Sequence, residues 1–363
     1  MKKRITIKDI ARIANVSRGT VDRALNRRGD INHRTRQLIL QIASEQRYRP
    51  HPAARALVMG RSQLSIGVCI PREIRFFYDQ VRDGILEEAR RFESVGIKVI
   101  YRPFERLGKG EHERIQQMLR SDIKALIMTP GVDRSLCALI NRAEKRKIRV
   151  VCVAGDIADS SRSTAVSSDA ELNGRCAAEL MGKFIHGKAG VVIFTGMLQS
   201  EIQSKEVRSF SSAFEQFSNG GKVIEVIENH ESEEEAFAKC SSLLRRVRRI
   251  DGMYISTATC LPVCAALDAA GLAEKVKLVT TDLYPDMVPW FERGTILASV
   301  YQRPYTQGQT AVRLIVDHIV SGHPFPRVFY LSPSVVLRSN LHTFREVSPG
   351  TLGEEAASQL QFA

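Results

Sequence analysis

The sequence of 363 residues lacks the features that mark secreted, membrane-spanning and metal-binding proteins. Its seven cysteines are scattered and include no C-x-x-C pair, which argues against a disulfide framework or a zinc site. The N-terminus, MKKRITI, turns polar again at Lys8, so it lacks the apolar stretch of a signal peptide, and no run reaches membrane-spanning length. We therefore expect a cytoplasmic protein that has no membrane contact, no metal and no cofactor.

Positive charge is concentrated at one end of the chain. Residues 1–63 carry 15 Lys and Arg against 4 Asp and Glu, which accounts for +11 of the formal net charge of +13. The remaining three hundred residues are therefore nearly neutral. A short segment this basic is suited to binding a polyanion such as nucleic acid.

Three short helices are predicted in the basic segment. Thr6 can cap a first helix that ends near Asn15, and Ser17 can cap a second helix that begins at Arg18. A third helix, from about Arg34 to Gln46, closes the small core. Its predicted inward side chains are Leu38, Ile39, Ile42 and Ala43. The tight turn between the first two helices is typical of helix-turn-helix proteins, so we expect a DNA-binding domain over residues 1–49.

The segment over residues 50–63 carries a second signature of DNA binding. Pro52 can open a slim, alanine-rich helix in which Arg55 flanks Leu57. An apolar side chain such as Leu57 can insert at a base step in the minor groove and kink the duplex. A proline-bounded linker is the alternative reading of this segment.

Together these segments resemble the lactose-repressor (LacI/GalR) family of bacterial transcription regulators. The resemblance is carried by Thr6-Ile7-Lys8-Asp9-Ile10-Ala11, by Val16-Ser17-Arg18-Gly19-Thr20-Val21-Asp22-Arg23-Ala24-Leu25-Asn26, by Thr35-Arg36, by Tyr48-Arg49-Pro50 and by Ala54-Arg55-Ala56-Leu57. It implies a homodimer that places its second helices in the major groove and its hinge helices in the minor groove of a near-palindromic operator in double-stranded DNA. The DNA-binding positions that it implies are Thr6, Ser17, Arg18, Gly19, Thr20, Arg23, Asn26, Ala54, Arg55 and Leu57.

Two positions in the second helix depart from the family pattern. Gly19 stands where a polar side chain is usual, so base readout should depend on the arginines, each of which can fork onto a guanine. Asp22 would repel phosphate unless it pairs with Arg18 or accepts a hydrogen bond from a cytosine amino group. A solvated charged face is the bland alternative for the whole helix.

From Leu64 onward, apolar runs alternate with amphipathic stretches. Nine strands are predicted, from Leu64 to Ile70, Ile97 to Tyr101, Ala125 to Thr129, Val150 to Ala154, Val191 to Thr195, Lys222 to Ile227, Gly252 to Ser256, Lys277 to Thr281 and Ile296 to Val300. Helical patterns separate most of them, which indicates an α/β fold with doubly wound parallel sheets. Nine strands exceed one ordinary sheet, so we expect two lobes over residues 64–341 and a ligand cleft at the carboxyl ends of the strands. Residues 342–363 form a tail.

The larger part also resembles, more loosely, the periplasmic sugar-binding-protein fold that the family uses as its effector domain. The implied effector-binding positions are Phe76, Phe77, Asp156, Lys205, Arg208, Thr257, Asp282 and Gln302, with Lys205 and Arg208 as alternatives for one basic position. Core packing, helix capping and loop tying are the structural alternatives for these residues. Carboxylates in the cleft favour a neutral sugar, whereas Arg72, Arg75 and Arg303 near the same strand ends would favour a sugar acid or a phosphate ester.

The sequence therefore predicts a transcription factor of repressor type that responds to a small molecule, probably a sugar or sugar derivative. It contains no G-x-G-x-x-G after a strand, no G-x-x-x-x-G-K-[ST], no G-x-S-x-G and no H-E-x-x-H, so we expect no catalysis. A solute-binding receptor and a sugar-modifying enzyme fused to a DNA-binding domain are the alternatives. A dimer is expected rather than a tetramer, because the tail is too short for sustained heptads.

Overall fold

The computed structural model describes residues 7–25, 31–45, 64–93, 96–185 and 187–344. Within these ranges no helix combines the length and the apolar character that crossing a membrane requires. The predicted hinge over residues 50–63 and the tail beyond Phe344 lie outside the described residues.

The N-terminal residues form three helices, α1 (Ile7–Ile13), α2 (Arg18–Leu25) and α3 (His33–Glu45). The Ser17 hydroxyl accepts a hydrogen bond from the Thr20 amide at 3.1 Å, so the predicted cap of α2 is present. The buried apolar side chains of the three helices are Ile10, Ala11, Ala14, Val21, Ala24, Ile39 and Ile42. One predicted core residue is wrong, because Leu38 lies on the outer face of α3 with 45% of its surface exposed.

The first lobe is a six-stranded parallel sheet with helices on both faces. Its elements, in chain order, are β1 (Leu64–Cys69), α4 (Arg75–Arg90), β2 (Ile97–Tyr101), α5 (Glu111–Met118), β3 (Ala125–Met128), α6 (Ser135–Lys145), β4 (Arg149–Val153), β5 (Thr164–Ser168), α12 (Pro304–Ser321) and β11 (Val328–Leu331). The strand order is β11-β5-β4-β3-β1-β2. One apolar core lies under α4 and α12, and a second lies under α5 and α6.

The second lobe repeats this plan with one antiparallel edge strand. Its elements are α7 (Ala170–Phe184), β6 (Gly190–Thr195), α8 (Glu201–Phe217), β7 (Lys222–Glu228), α9 (Glu233–Arg246), β8 (Gly252–Ile255), α10 (Cys260–Ala269), β9 (Lys277–Thr281), α11 (Val288–Glu292), β10 (Ile296–Tyr301) and β12 (Ser334–Val336). The strand order is β12-β10-β9-β8-β6-β7, and only β12 runs antiparallel to its neighbour. The predicted two-lobed α/β architecture is therefore confirmed.

The chain passes between the lobes at three places. It leaves the first lobe between β5 and α7, returns between β10 and α12, and crosses again between β11 and β12. The second crossover is short, because only Gln302 and Arg303 separate β10 from α12. Short crossovers of this kind let two lobes move relative to one another while each sheet stays intact.

Candidate functional site

The exposed face of α2 is the candidate DNA-binding surface. Gly19 lies on this face, and the nearest atom to an added Cβ would be the Ser17 hydroxyl oxygen at 3.7 Å. The hydroxyls of Ser17 and Thr20 are 2.9 Å apart. Arg18 and Arg23 belong to the same helix. The other predicted DNA-binding residues, Thr6, Asn26, Ala54, Arg55 and Leu57, lie outside the described residues.

The carboxyl ends of the parallel strands of the two lobes face each other across the candidate effector site. Phe76, on α4 of the first lobe, stacks on Tyr284, which follows β9 of the second lobe, with ring centroids 3.8 Å apart. The hydroxyl of Tyr301, at the end of β10, donates a hydrogen bond to the Gln80 side chain of α4 at 2.9 Å. These contacts hold the lobes together at the place where the sequence predicts a cleft.

Asp282 and Gln302 lie side by side where β9 and β10 end. The buried Asp282 adopts a left-handed backbone conformation (φ 67°). Its carboxylate accepts hydrogen bonds from the Gln302 side-chain amide at 3.2 Å and from the Gln302 backbone amide at 3.4 Å. The structure thus brings together the two polar residues predicted for adjacent strand ends, and the same contacts tie the two loops to each other.

Three other predicted positions are held in contacts of their own. Asp156 forms a two-pronged ion pair with the nearly buried Arg162, whose guanidinium also donates to the Arg327 carbonyl at 2.8 Å. Phe77 is buried in the core of the first lobe. The Thr257 hydroxyl, at the end of β8, lies 2.7 Å from the Thr259 hydroxyl and accepts from the Thr259 amide. Of the two adjacent phenylalanines, only Phe76 therefore reaches the opposite lobe.

The position on α8 where the sequence suggests a basic ligand contact instead buries an acid. Arg208 is exposed and donates to the Ser204 hydroxyl at 2.6 Å, while Lys205 is half-buried. Between them Glu206 is almost completely buried and accepts a hydrogen bond from the Tyr254 hydroxyl. Burial raises the pKa of Glu206 to about 8, and the nearby carboxylates of Asp282 and Glu231 raise it further against the lowering effect of Tyr254.

Three further carboxyl groups at the strand ends were missed by the sequence prediction. Burial raises the pKa of Glu231, which follows β7, to about 7, and Glu73 adds to this shift from the other lobe. Burial also raises the pKa of Glu73 and of Glu111. All three follow a strand by a few residues, so the positional rule that found Asp282 would have found them if it had been applied to every strand.

These acids converge on one region that contains Tyr78. Tyr78 is buried on α4, and its pKa is raised by burial and then by Glu73, Glu231, Asp282 and Glu111. Two of these carboxyl groups belong to each lobe. The candidate site therefore combines an aromatic stack between the lobes with an acidic lining drawn from both.

Comparison with protein families identifies two segments of the chain. Residues 6–51 match the family described as "Bacterial regulatory proteins, lacI family". Residues 66–323 match the family described as "Periplasmic binding protein domain". The two matches adjoin each other and cover the three-helix segment and nearly all of the two lobes.

Relatives with this arrangement are similar along almost their whole length. A purine-operon-type repressor named PurR, from Aliivibrio salmonicida, is 22% identical over 352 residues, which cover 93% of this chain and 99% of the relative. The ribose operon repressor of Haemophilus influenzae is 22% identical and covers 94% of this chain and 99% of its own. Among solved structures, the glucose-galactose binding protein GanP of Geobacillus stearothermophilus superposes with a TM-score of 0.70 at 23% identity, over 77% of this chain and 99% of that protein.

Proposed function

The chain belongs to the lacI family of bacterial regulatory proteins and has a periplasmic binding protein domain as its larger part; from this premise we propose that a small ligand held between the lobes controls how tightly it binds an operator. The observation that carries the proposal is the combination, in one chain, of a helix-turn-helix with a two-lobed domain whose strand ends meet at buried polar groups. A receptor that only captured a solute would have no use for the basic helices, and a simple DNA-binding protein would have no use for the cleft.

The proposed DNA contacts lie on α2 and in the segment that follows α3. Arg18 and Arg23 read guanines in the major groove, and Ser17, Thr20 and Gly19 approach the backbone and the base edges. Thr6, Asn26, Ala54, Arg55 and Leu57 complete the interface, as the family resemblance implies. Two copies of the chain then read two half-sites, so the operator is near-palindromic and the working unit is a homodimer.

Control of DNA binding follows from the contacts between the lobes. The Phe76–Tyr284 stack and the Tyr301–Gln80 hydrogen bond favour one arrangement of the lobes. A ligand that bonds to both lobes has a different affinity for each arrangement and therefore shifts the population between them. Since residues 50–63 join the first lobe to the helix-turn-helix, such a shift changes how the two DNA-binding domains of a dimer are presented.

The family relatives support a carbohydrate or a similarly polar metabolite as the ligand. The ribose operon repressor and GanP are named for sugars, and Asp282 with Gln302 offers this chain a carboxylate and an amide of the kind that binds hydroxyl groups. Like its relatives, the protein acts in the cytoplasm, where the operator is.

Selection of duplexes from a random pool tests the DNA-binding part of this proposal. Full-length protein should enrich a sequence with two related half-sites, and the enriched duplex should survive competition by random DNA. Arg23→Ala should weaken binding to it by about 1 to 3 kcal/mol and relax the preference at one base position in each half-site. If the protein enriches no sequence, the proposed function is wrong.

A further inference from the structure

The acidic residues between the lobes point to a narrower ligand class, and this inference depends on the proposed function. We propose that the effector is a hydroxylated amine of hexose size, an amino sugar, whose ammonium group is received by Glu111 of the first lobe and Glu231 of the second. The hydroxyl groups of the same molecule bind the remaining oxygen acceptors at the strand ends.

Unpaired acceptors in both lobes are the first support. Glu111 is only 2% exposed, and one of its carboxylate oxygens is buried without a hydrogen-bond partner among the described residues. Its other oxygen accepts from the Gly108 amide at 3.3 Å. Glu231 shows the same pattern, since Gln203 donates to one oxygen at 2.8 Å and the other is buried and unpaired. A buried acceptor without a donor is costly, so both groups require one from outside the described residues.

The two acids approach a common point. Glu73 lies near enough to both Glu111 and Glu231 to raise the pKa of each, although it belongs to the same lobe as Glu111 alone. Tyr78 lies within electrostatic reach of all three. The Glu111 oxygens also lie only 2.8 Å from where a Cβ on Gly131 would be, and Gly131 follows β3 in the first lobe. The unpaired oxygens are therefore at the cleft and not on an outer face.

Further oxygen acceptors surround these carboxylates. The hydroxyls of Thr129, just after β3, and of Thr195, at the end of β6, are buried and unpaired within the described part of the chain. They lie at the carboxyl ends of strands of opposite lobes. A ligand rich in hydroxyl groups can donate to such oxygens, whereas an ammonium group alone supplies only three donors at one point.

Counter-charge is scarce around the second-lobe acids. Within the described residues, no basic side chain lowers the pKa of Glu206 or of Glu231. The basic residues that would favour an acidic ligand are turned to other uses or to solvent: Arg75 is exposed and pairs with Asp79 at 3.4 Å, and Arg72 is exposed. An anionic effector would enter a group of uncompensated carboxyls, which disfavours a sugar acid or a phosphate ester.

Matched triples of sugars test the proposal on the full-length protein. The probes are D-glucose, D-galactose and D-mannose, each compared with its 2-amino-2-deoxy form and with the N-acetylated amine. We expect at least one amino sugar at millimolar concentration to raise the melting temperature by several degrees, and its parent and N-acetyl forms to raise it clearly less. Glu111→Gln and Glu231→Gln should each reduce that shift at least tenfold in apparent affinity, while the exposed Glu274→Gln should leave it unchanged.

Two results would overturn the assignment. A neutral or acidic sugar that stabilises more than every amine does so, and so does the absence of a shift with all three amines. A sugar of another class that still alters operator binding would leave the proposed function standing and remove only the charge assignment. Should Glu111→Gln and Glu231→Gln fail to fold, circular dichroism would show it, and the comparison of amine with N-acetyl amine on the unmodified protein still decides.

Discussion

Gly19 occupies a helical position on the proposed DNA-binding face that has room for a side chain. Its backbone does not adopt the left-handed conformation, and an added Cβ makes only one contact, at 3.7 Å. Glycine in a helix is less stable than alanine by about 0.5 to 1 kcal/mol. We expect Gly19→Ala to stabilise the three-helix domain by that amount, measured by thermal unfolding. A loss of stability would show that α2 depends on a conformation that only glycine allows.

Glu206 makes the stability of the protein depend on pH. Its pKa is about 8 in the folded chain against an ordinary value of 4.5, because the carboxyl group is buried among other acids. The folded protein therefore binds more protons than the unfolded one, so this contribution to stability is full below about pH 4.5 and is lost as the pH rises through about 8. Chemical denaturation between pH 6 and pH 9 should show a falling free energy of unfolding.

Glu206→Gln is the matched variant for this effect. Glutamine keeps an oxygen that can accept the hydrogen bond of Tyr254 and carries no proton to lose. The fall in stability between pH 6 and pH 9 should therefore be smaller in the variant than in the original protein. Equal slopes would mean that other groups, such as Glu231, cause the whole effect.

The packing of α4 against α12 is the element that joins the second crossover to the first lobe. A Cβ on Gly84 of α4 would lie 2.0 Å from the Tyr305 carbonyl oxygen, and one on Gly308 of α12 would lie 2.1 Å from the Val81 carbonyl oxygen. Backbone atoms cannot turn aside as a flexible side chain can, so a methyl group would push the helices apart. The two glycines therefore set how closely the helices approach.

Gly84→Ala should destabilise the lobed domain by about 1 to 3 kcal/mol, because it adds volume to a filled contact. Urea denaturation followed by tryptophan fluorescence and by circular dichroism measures this loss. Gly19→Ala is the control, since it makes the same change on a helix with open space and should have the opposite sign. A neutral Gly84→Ala would mean that the helices can separate freely.

Strong apolar strands could be predicted from the sequence, whereas three weaker elements could not. The nine predicted strands all exist, but β5 contains Thr164, Ser167 and Ser168, so it reads as too polar for a buried strand. β11 and β12 are edge strands of four and three residues, and their partners are distant in the chain. Such strands form because a neighbouring strand is already in place, and local periodicity does not contain that information.

The candidate site shows the same division. Asp282 and Gln302 follow strands directly, so their placement at a shared edge could be predicted. Glu206 could not, because its importance depends on the burial of one face of α8 and on the hydroxyl of Tyr254 from another strand. The attention given to Lys205 and Arg208 came from a search for a positive charge on α8, and the fold places a negative residue there instead.

At the scale of the whole molecule, one aromatic stack connects the lobes. Phe76→Ala should remove the contact with Tyr284 and let the lobes separate further without ligand. The radius of gyration from small-angle X-ray scattering should then increase, and the effector should compact the variant as well as bind it. Phe329→Ala, on the exposed edge strand β11, is the control and should leave the radius unchanged. An unchanged radius in Phe76→Ala would mean that other contacts fix the lobes.

The two ends of the protein should also be coupled in a way that can be measured from either side. If effector binding changes operator affinity by some factor, then operator binding must change effector affinity by the same factor, because both compare the same four states. We expect a factor of about 5 to 150, measured by fluorescence anisotropy of labelled operator and by calorimetric titration of effector with and without operator. Asp282→Asn keeps a side chain that tolerates the left-handed backbone but weakens the pairing with Gln302. It should lower effector affinity in both titrations equally and leave the operator affinity of the empty protein close to its original value. If the two factors differed, the effector would be acting at a place other than the cleft between the lobes, and the aromatic stack and the acidic residues would then need another explanation.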